Sequence, residues 1–218
     1  MPGKFITCVE DMGLIAELGW WVLEEACRGI QLLQQANPHP LTVSINLSAS
    51  QFYEPELIPR VKAALQATNL APSALKLEIT ESTLMKSTDS VIAKINALRA
   101  LGVSCHIDDF GTGYSSLNYL YRLPSAALKI DRSFVADMSK NQEHSAIVQT
   151  IISLAHNLGL YVIAEGVESQ QQFMQLKSMG CEYYQGYWFS PPLAAAEAVC
   201  WIENFNAQSA EPMIEYGR

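Results

Sequence analysis

Long apolar runs are missing from this sequence, and so is any leader with a basic start, an apolar middle and a small-residue cleavage site. No transmembrane helix is therefore expected, and the chain is placed in the cytoplasm, alone or as the cytoplasmic domain of a membrane-anchored parent. Basic residues are scarce: 14 Lys and Arg stand against 22 Asp and Glu, for a net charge of −8. A binder of nucleic-acid polymers normally presents a basic face, so that class is excluded. The five cysteines (Cys8, Cys27, Cys105, Cys181 and Cys200) form no Cys-x-x-Cys pair and are odd in number. This argues against a disulfide framework or a zinc set, and for small, reduced, buried side chains. No Gly-x-Gly-x-x-Gly turn follows the first strand candidate, which leaves a dinucleotide-binding fold without support. No polar linker divides the chain, so residues 1–218 are expected to form one domain.

What is present is the composition of a soluble domain with a sizeable core, 49% hydrophobic and 17% charged. After Asn37, two kinds of segment alternate. Strand-like runs lie at Leu41–Leu47, Leu75–Thr80, Val103–Ile107, Ala127–Ile130, Tyr161–Ala164 and Tyr183–Phe189. Helical patterns lie at Pro55–Ala67, Thr88–Leu101, Ser115–Leu123, Ser145–Leu158 and Ser169–Met179, with a last one near Ala194–Phe205. An opening helix is expected from about Leu14 to Gln35, with Leu18, Trp21, Val22, Ala26, Ile30 and Leu33 along its apolar stripe. Gly102, Gly159 and Gly180 stand where a left-handed residue ends a helix. Such alternation predicts a mostly parallel α/β sheet, either doubly wound or curved into a (β/α) barrel.

The strand ends carry the chemistry. Each candidate strand finishes near a polar residue: Asn46, Glu78, the pair Asp108-Asp109, Lys129, Glu165 and Gln185. In a parallel barrel all C-terminal strand ends open on one face, so these residues would converge there. Strand parity puts Asn46 opposite Leu41, Val43 and Ile45, and puts His106 with Asp108. Asp109 falls on the other side, although a residue at a strand–loop junction can swing inward. Asn46, Glu78, Asp108 and Asp109 offer the oxygen ligands that Mg²⁺ or Mn²⁺ prefers. Two such ions can generate hydroxide and stabilise both oxygens of a phosphoryl displacement. A lysine there can hold the hydroxide or neutralise phosphate, and a further glutamate can orient or deprotonate water. Each residue alone has a plainer reading: Lys129–Asp131 as an exposed ion pair, Glu165 as a helix cap, Asp108-Asp109 as a turn. Their occurrence together, in order and at strand ends, favours a metal site. His106 is read as an interior residue, His39 and His156 as non-catalytic, and Trp20, Trp21 and Trp188 as core aromatics.

Six segments then carry a specific likeness: Asn-Leu-Ser (46–48), Glu-Ile-Thr-Glu-Ser (78–82), Asp-Asp-Phe-Gly-Thr-Gly-Tyr-Ser-Ser (108–116), Leu-Lys-Ile-Asp-Arg-Ser-Phe (128–134), Ala-Glu-Gly-Val-Glu (164–168) and Gln-Gly-Tyr (185–187). In this order and spacing they resemble the motifs of EAL domains, from about Phe5 to Glu203. The resemblance implies a TIM-like (β/α) barrel and a two-metal phosphodiesterase that opens cyclic di-GMP to linear pGpG in bacterial signalling. It assigns Asn46, Glu78, Asp108 and Asp109 to metal, Glu165 to metal or general-base duty, and Lys129 to the nucleophilic water or the phosphate. Gln185 would position water or substrate, Glu168 would support the pocket, and Glu81 would brace the 109–116 loop, which the family links to dimerisation.

Two departures accompany the likeness. Pro191 stands where the family often has a basic residue. Only about six of eight barrel strands are recognisable, and the two absent N-terminal ones would carry the Glu-Ala-Leu signature with a metal-binding Glu and a nearby Arg. The expectation is a piece of a longer protein, or a chain that pairs with a second copy to cover the gap. The competing functions are a catalytically impaired domain that serves as a cyclic di-GMP receptor or protein-interaction regulator, and an unrelated metal-dependent barrel lyase or aldolase. Expected partners are cyclic di-GMP, a second copy, and an upstream sensor or diguanylate cyclase domain.

Overall fold

Side-chain alternation along the strands decides the architecture. In the computed structural model, which describes residues 2–35, 37, 39–84, 88–113 and 120–210, six strands form one sheet. They are β1 (Val43–Asn46), β2 (Leu75–Thr80), β3 (Ser104–Phe110), β4 (Ala127–Ile130), β5 (Tyr161–Glu165) and β6 (Tyr183–Gln185). The strands lie in sequential order, and every neighbouring pair is parallel. Parallel neighbours need long crossovers, and among the described residues helices supply them in all but the β3–β4 connection. The chain runs α1 (Pro2–Asp11), α2 (Ile15–Gln35), β1, α3 (Ala49–Tyr53), α4 (Leu57–Thr68), β2, α5 (Glu81–Leu84), α6 (Thr88–Ala100), β3 and β4. It continues through α7 (Arg132–Asp137), α8 (Gln142–Asn157), β5, α9 (Gln170–Ser178), β6 and α10 (Ala195–Ala210).

One face of the sheet is apolar and lies under the helices. Leu75, Leu77 and Ile79 of β2, Leu128 and Ile130 of β4, and Val162 and Ala164 of β5 are all buried there. Burying each of the larger side chains contributes about 1.5–3 kcal/mol. The other face is polar and concave. It carries Ser44, Lys76, Ser104, His106 and Gln185 around a hollow of about 810 Å³. The sheet is thus a half-barrel with β1 and β6 at its edges.

Several expectations need correction. On α2, Ile30 is buried as expected and Val22, Ala26 and Leu33 pack against the core, but the other buried residues are Trp20, Leu23 and Cys27, and Trp21 is 58% exposed. Trp188 is also exposed, because β6 stops at Gln185 rather than running on to Phe189. Cys27, Cys105 and Cys181 are buried, whereas Cys8 and Cys200 are exposed. A helix precedes the expected opening one, at Pro2–Asp11. The helix expected over Ser115–Leu123 lies mainly outside the described residues, as does the end of the 109–116 loop. The helix-ending glycines are as expected: Gly102, Gly159 and Gly180 all have positive φ, between 72° and 90°.

Candidate active site

Four neighbouring strands bring one ammonium and three carboxylates together. Lys129, on β4 and only 2% exposed, sits between β3 and β5 on the concave face. Its Nζ contacts Glu165 Oε1 at 2.6 Å and Asp108 Oδ1 at 3.0 Å, and pairs closely with Glu78 Oε2. Burial alone would pull the Lys129 pKa down, but the charges of Glu78, Glu165 and Asp108 outweigh it and hold the ammonium firmly protonated. Burial pushes the Glu165 carboxyl above its ordinary range, against the opposing pull of Lys129. Two of the plainer readings fail here, while Asp109 does enter a turn, its carbonyl accepting the Thr112 hydroxyl at 2.8 Å. Asp131 does not pair with Lys129; it caps α7 by accepting the Ser133 N–H at 2.9 Å. Glu165 caps nothing, since Ser169 and Gln172 form the capping box of α9.

The next residues are arranged by the backbone. Asn46 is the register partner of Glu78, and Gln185 that of Glu165, so both flank the cluster; their side chains are exposed. Asp109 is half-buried in a left-handed conformation, φ 53°, at an irregularity in the β3–β4 ladder. Burial and the charges of Asp108 and Asp131 raise its pKa. Glu81 is buried at the start of α5, and its Oε2 accepts the Gly111 N–H at 3.0 Å. Glu168 is exposed, and its backbone N–H is held by Gln172 Oε1 at 2.8 Å. Val167 stitches the two last strand ends together: its N–H donates to Gln185 O at 3.0 Å and its carbonyl accepts from Trp188 N–H at 2.9 Å. A side chain at Gly186 would collide with the Val167 backbone, a requirement that the Gln-Gly-Tyr segment carries but that no residue count reveals.

Below the cluster lies a layer that sequence reasoning did not single out. Lys76 donates to Ser104 Oγ at 3.3 Å, and Tyr161 meets Tyr183 edge to face with centroids 5.9 Å apart. Parity alone could have found this layer, since each residue lies two or four positions before a strand-end residue, on the same face. His106 belongs to it. Burial, with Lys76 and Lys129 nearby, lowers its pKa to about 4, and its Nδ1 is buried with no hydrogen-bond partner.

The donor set suits a hard divalent cation. Glu78, Asp108 and Glu165 each offer an oxygen within 4.8 Å of the others. Asp108 Oδ1 faces the ammonium but is buried without a directed hydrogen bond, so it retains a lone pair for a cation. One ammonium against three carboxylates is also more acid than a structural ion pair needs, and buried charge is costly unless matched.

Comparison with known proteins gives a consistent picture. A family model described as the EAL domain matches residues 1–192. The cyclic di-GMP phosphodiesterase NbdA of Pseudomonas aeruginosa is 44% identical over 212 residues, covering 97% of this chain and 27% of NbdA. The bifunctional diguanylate cyclase/cyclic di-GMP phosphodiesterase MucR of that organism is 43% identical, covering 92% of this chain and 29% of MucR. The chain thus spans less than a third of the length of these curated relatives. The solved MucR phosphodiesterase in complex with c-di-GMP matches with a TM-score of 0.87 at 43% identity, over 90% of this chain and 80% of that one. The manganese and cyclic di-GMP complex of Klebsiella pneumoniae BlrP1 matches with a TM-score of 0.75 at 29% identity, over 83% of this chain and 46% of that one.

Proposed function

Because this chain belongs to the EAL domain family, we propose that it hydrolyses one phosphodiester of cyclic di-GMP, adding water to give linear pGpG. One observation carries the proposal above the others: Lys129 gathers Glu78, Asp108 and Glu165 at the C-terminal ends of adjacent parallel strands. Asn46, Glu78, Asp108, Asp109 and Glu165 would hold Mg²⁺ or Mn²⁺. When bound, such ions supply Lewis-acid stabilisation of the phosphoryl oxygens and hydroxide at neutral pH. Lys129 would neutralise charge on the phosphate as it builds up in the transition state. Glu165, with its raised pKa, suits the acceptance of a proton from the attacking water. Gln185, level with Glu165 on the next strand, would orient that water through its amide. Glu81 would keep the Asp109 turn in place through Gly111, and Glu168 would support the pocket from the start of α9.

The proposal takes residues 1–218 as one domain whose edge strands β1 and β6 are closed by two more strands, from a longer chain or a second copy. It acts as a homodimer in the cytoplasm, under an upstream sensor or cyclase domain. The greater length of the relatives supports the longer chain, and three cysteines buried as single thiols suit a reducing compartment. Among the described residues no helix is long and apolar enough to cross a membrane. Incubation with cyclic di-GMP and Mg²⁺ or Mn²⁺ tests the chemistry: pGpG should form, and should vanish with EDTA or in Glu165→Ala. Binding without product would instead support a receptor. Light scattering tests the closure: a cooperatively folding monomer of these 218 residues would remove the second copy.

A further inference from the structure

Glu81 can brace the Asp109 turn only if its own helix is held. That helix, α5, is a single turn of 4 residues, Glu81–Leu84. A helix so short has no cooperative stability, and its last carbonyls lack intrahelical partners. Its anchors therefore come from outside. The Tyr53 hydroxyl, at the end of α3, donates to the Thr83 carbonyl at 2.7 Å. The Thr83 side chain, 3% exposed, shares a hydroxyl hydrogen bond of 2.9 Å with Thr80 at the end of β2.

The helix that carries Tyr53 has the same need, being 5 residues long. Lys94 of α6 meets it there. Its Nζ donates to the Phe52 carbonyl at 2.7 Å and to the Glu54 carbonyl at 2.9 Å. The same ammonium lies over the Phe52 and Tyr53 rings, 5.7 Å and 6.0 Å from their centroids. Two charge-assisted bonds and two ring faces fix the backbone from which Tyr53 reaches α5.

We propose that Tyr53 and Lys94 are positioning residues for the metal site: a strut from α6 through α3 that sets α5, and through Glu81 the turn that presents Asp109. This rests on the metal reading of the site. The connection is continuous in hydrogen bonds, from Lys94 to α3, from Tyr53 to Thr83, and from the Gly111 N–H to Glu81 at 3.0 Å. It also serves two proposed ligands at once. Asn46 and Glu78 are register partners, and α3 and α5 each begin 3 residues after their ligand. A slide of α3 against α5 would displace both.

Tyr53→Phe removes the hydroxyl and keeps the ring, so it separates the strut from mere packing. Mn²⁺ titrated into the chain and followed by electron paramagnetic resonance should bind about three- to tenfold more weakly in Tyr53→Phe, the worth of one hydrogen bond. Lys94→Met should act in the same direction, and Lys94→Arg should recover part of the loss. In the Glu81→Ala background Tyr53→Phe should add nothing; a further loss there overturns the route through Glu81. Ile30 supplies the control. It is buried on α2, about 16 Å along the helix from Gly19, where that helix meets Gln51 of α3. Ile30→Ala should lose stability in urea and keep its Mn²⁺ affinity; a parallel loss of affinity would show that binding follows stability alone, which overturns the strut. Amide exchange at Gly111 without metal reads the brace directly, and protection should fall in Tyr53→Phe. Unchanged protection or unchanged affinity in that variant overturns the strut alone, whereas absence of Mn²⁺ binding in the unaltered chain overturns the metal reading and this inference with it.

Discussion

Glu81 allows the order of the site to be tested without touching a metal ligand. Its carboxylate is buried, and Oε2 accepts the Gly111 N–H at 3.0 Å. Gly111 sits two residues beyond Asp109 in a left-handed conformation, φ 98°. A hydrogen bond to a charged acceptor contributes about 1.5–3 kcal/mol, so Glu81→Ala should cost that much in urea denaturation. Glu81→Gln keeps an acceptor oxygen and should recover about half of it. Gly113 provides an independent handle. A Cβ there would lie 2.8 Å from Glu81 Oε1. The carboxylate would have to shift, and the Gly111 N–H is bonded to its other oxygen, so Gly113→Ala should cost up to about 3 kcal/mol through the same bond. In the Glu81→Ala background the clash is gone, and Gly113→Ala should then cost close to nothing. Amide exchange at Gly111 should report the same pattern, with protection lost in either single variant. Additive costs in the double variant would refute the brace, because the two substitutions would then be acting on separate interactions.

His106 should make the fold acid-sensitive. Its pKa falls from 6.5 to about 4 on folding, so the unfolded chain takes up a proton first as pH drops. Stability is therefore lost across the window from about 6.5 down to 4, by roughly 3 kcal/mol in all. Urea denaturation of His106→Gln should lose correspondingly less over that window; parallel curves would show that the imidazole is not the cause. Leu128, fully buried on the helix-covered face of β4, should cost about 2–5 kcal/mol as Leu128→Ala. Leu32, 57% exposed on α2, should cost under about 0.5 kcal/mol as Leu32→Ala, and thermal melts of the pair check the assignment of the core.

The strands were legible because period-two alternation is a property of the chain itself. Leu75-Lys-Leu-Glu-Ile-Thr80 fixes which side chains face the helices before any partner strand is known. The same alternation put Glu78, Asp108, Lys129 and Glu165 at one end of one face, where the structure gathers the cluster. Helix faces were less legible. On α2, apolar residues occupy most of the circumference, so the stripe through Trp21 looked as good as the one through Trp20, and only packing on α4 and β1 selects the latter. The ends of β6 were overrun for a related reason. Tyr187, Trp188 and Phe189 have strand propensity, but pairing with β5 ends at Gln185, and propensity has no knowledge of the partner. The hollow and the unpartnered His106 Nδ1 depend on several strands at once and could not be read from any one of them.

Asp109 is where the alternation breaks, and the break has a purpose that can be tested. Strict parity would place Phe110 with His106 and Asp108 on the concave face. The ladder instead pairs Ile107 with Leu128 and Phe110 with Ile130, which spends one extra residue on β3. That residue is Asp109, held at φ 53°. The bulge returns Phe110 to the buried apolar face, where it is 5% exposed, and turns Asp109 out of the ladder toward Asp108, Lys129 and Asp131. A left-handed conformation costs an ordinary residue about 1–2 kcal/mol and Asp somewhat less, whereas Gly adopts it freely but loses about 0.5–1 kcal/mol more chain entropy on folding. Asp109→Gly should therefore leave stability within about 1 kcal/mol of the unaltered chain, and Asp109→Val, β-branched and ill-suited to positive φ, should fall about 1–2 kcal/mol below it. Both should lose Mn²⁺ affinity equally if the carboxylate is the ligand. A Gly variant as unstable as the Val variant would mean that the carboxylate itself holds the bulge, and that the bend exists for packing rather than to present Asp109 to a cation.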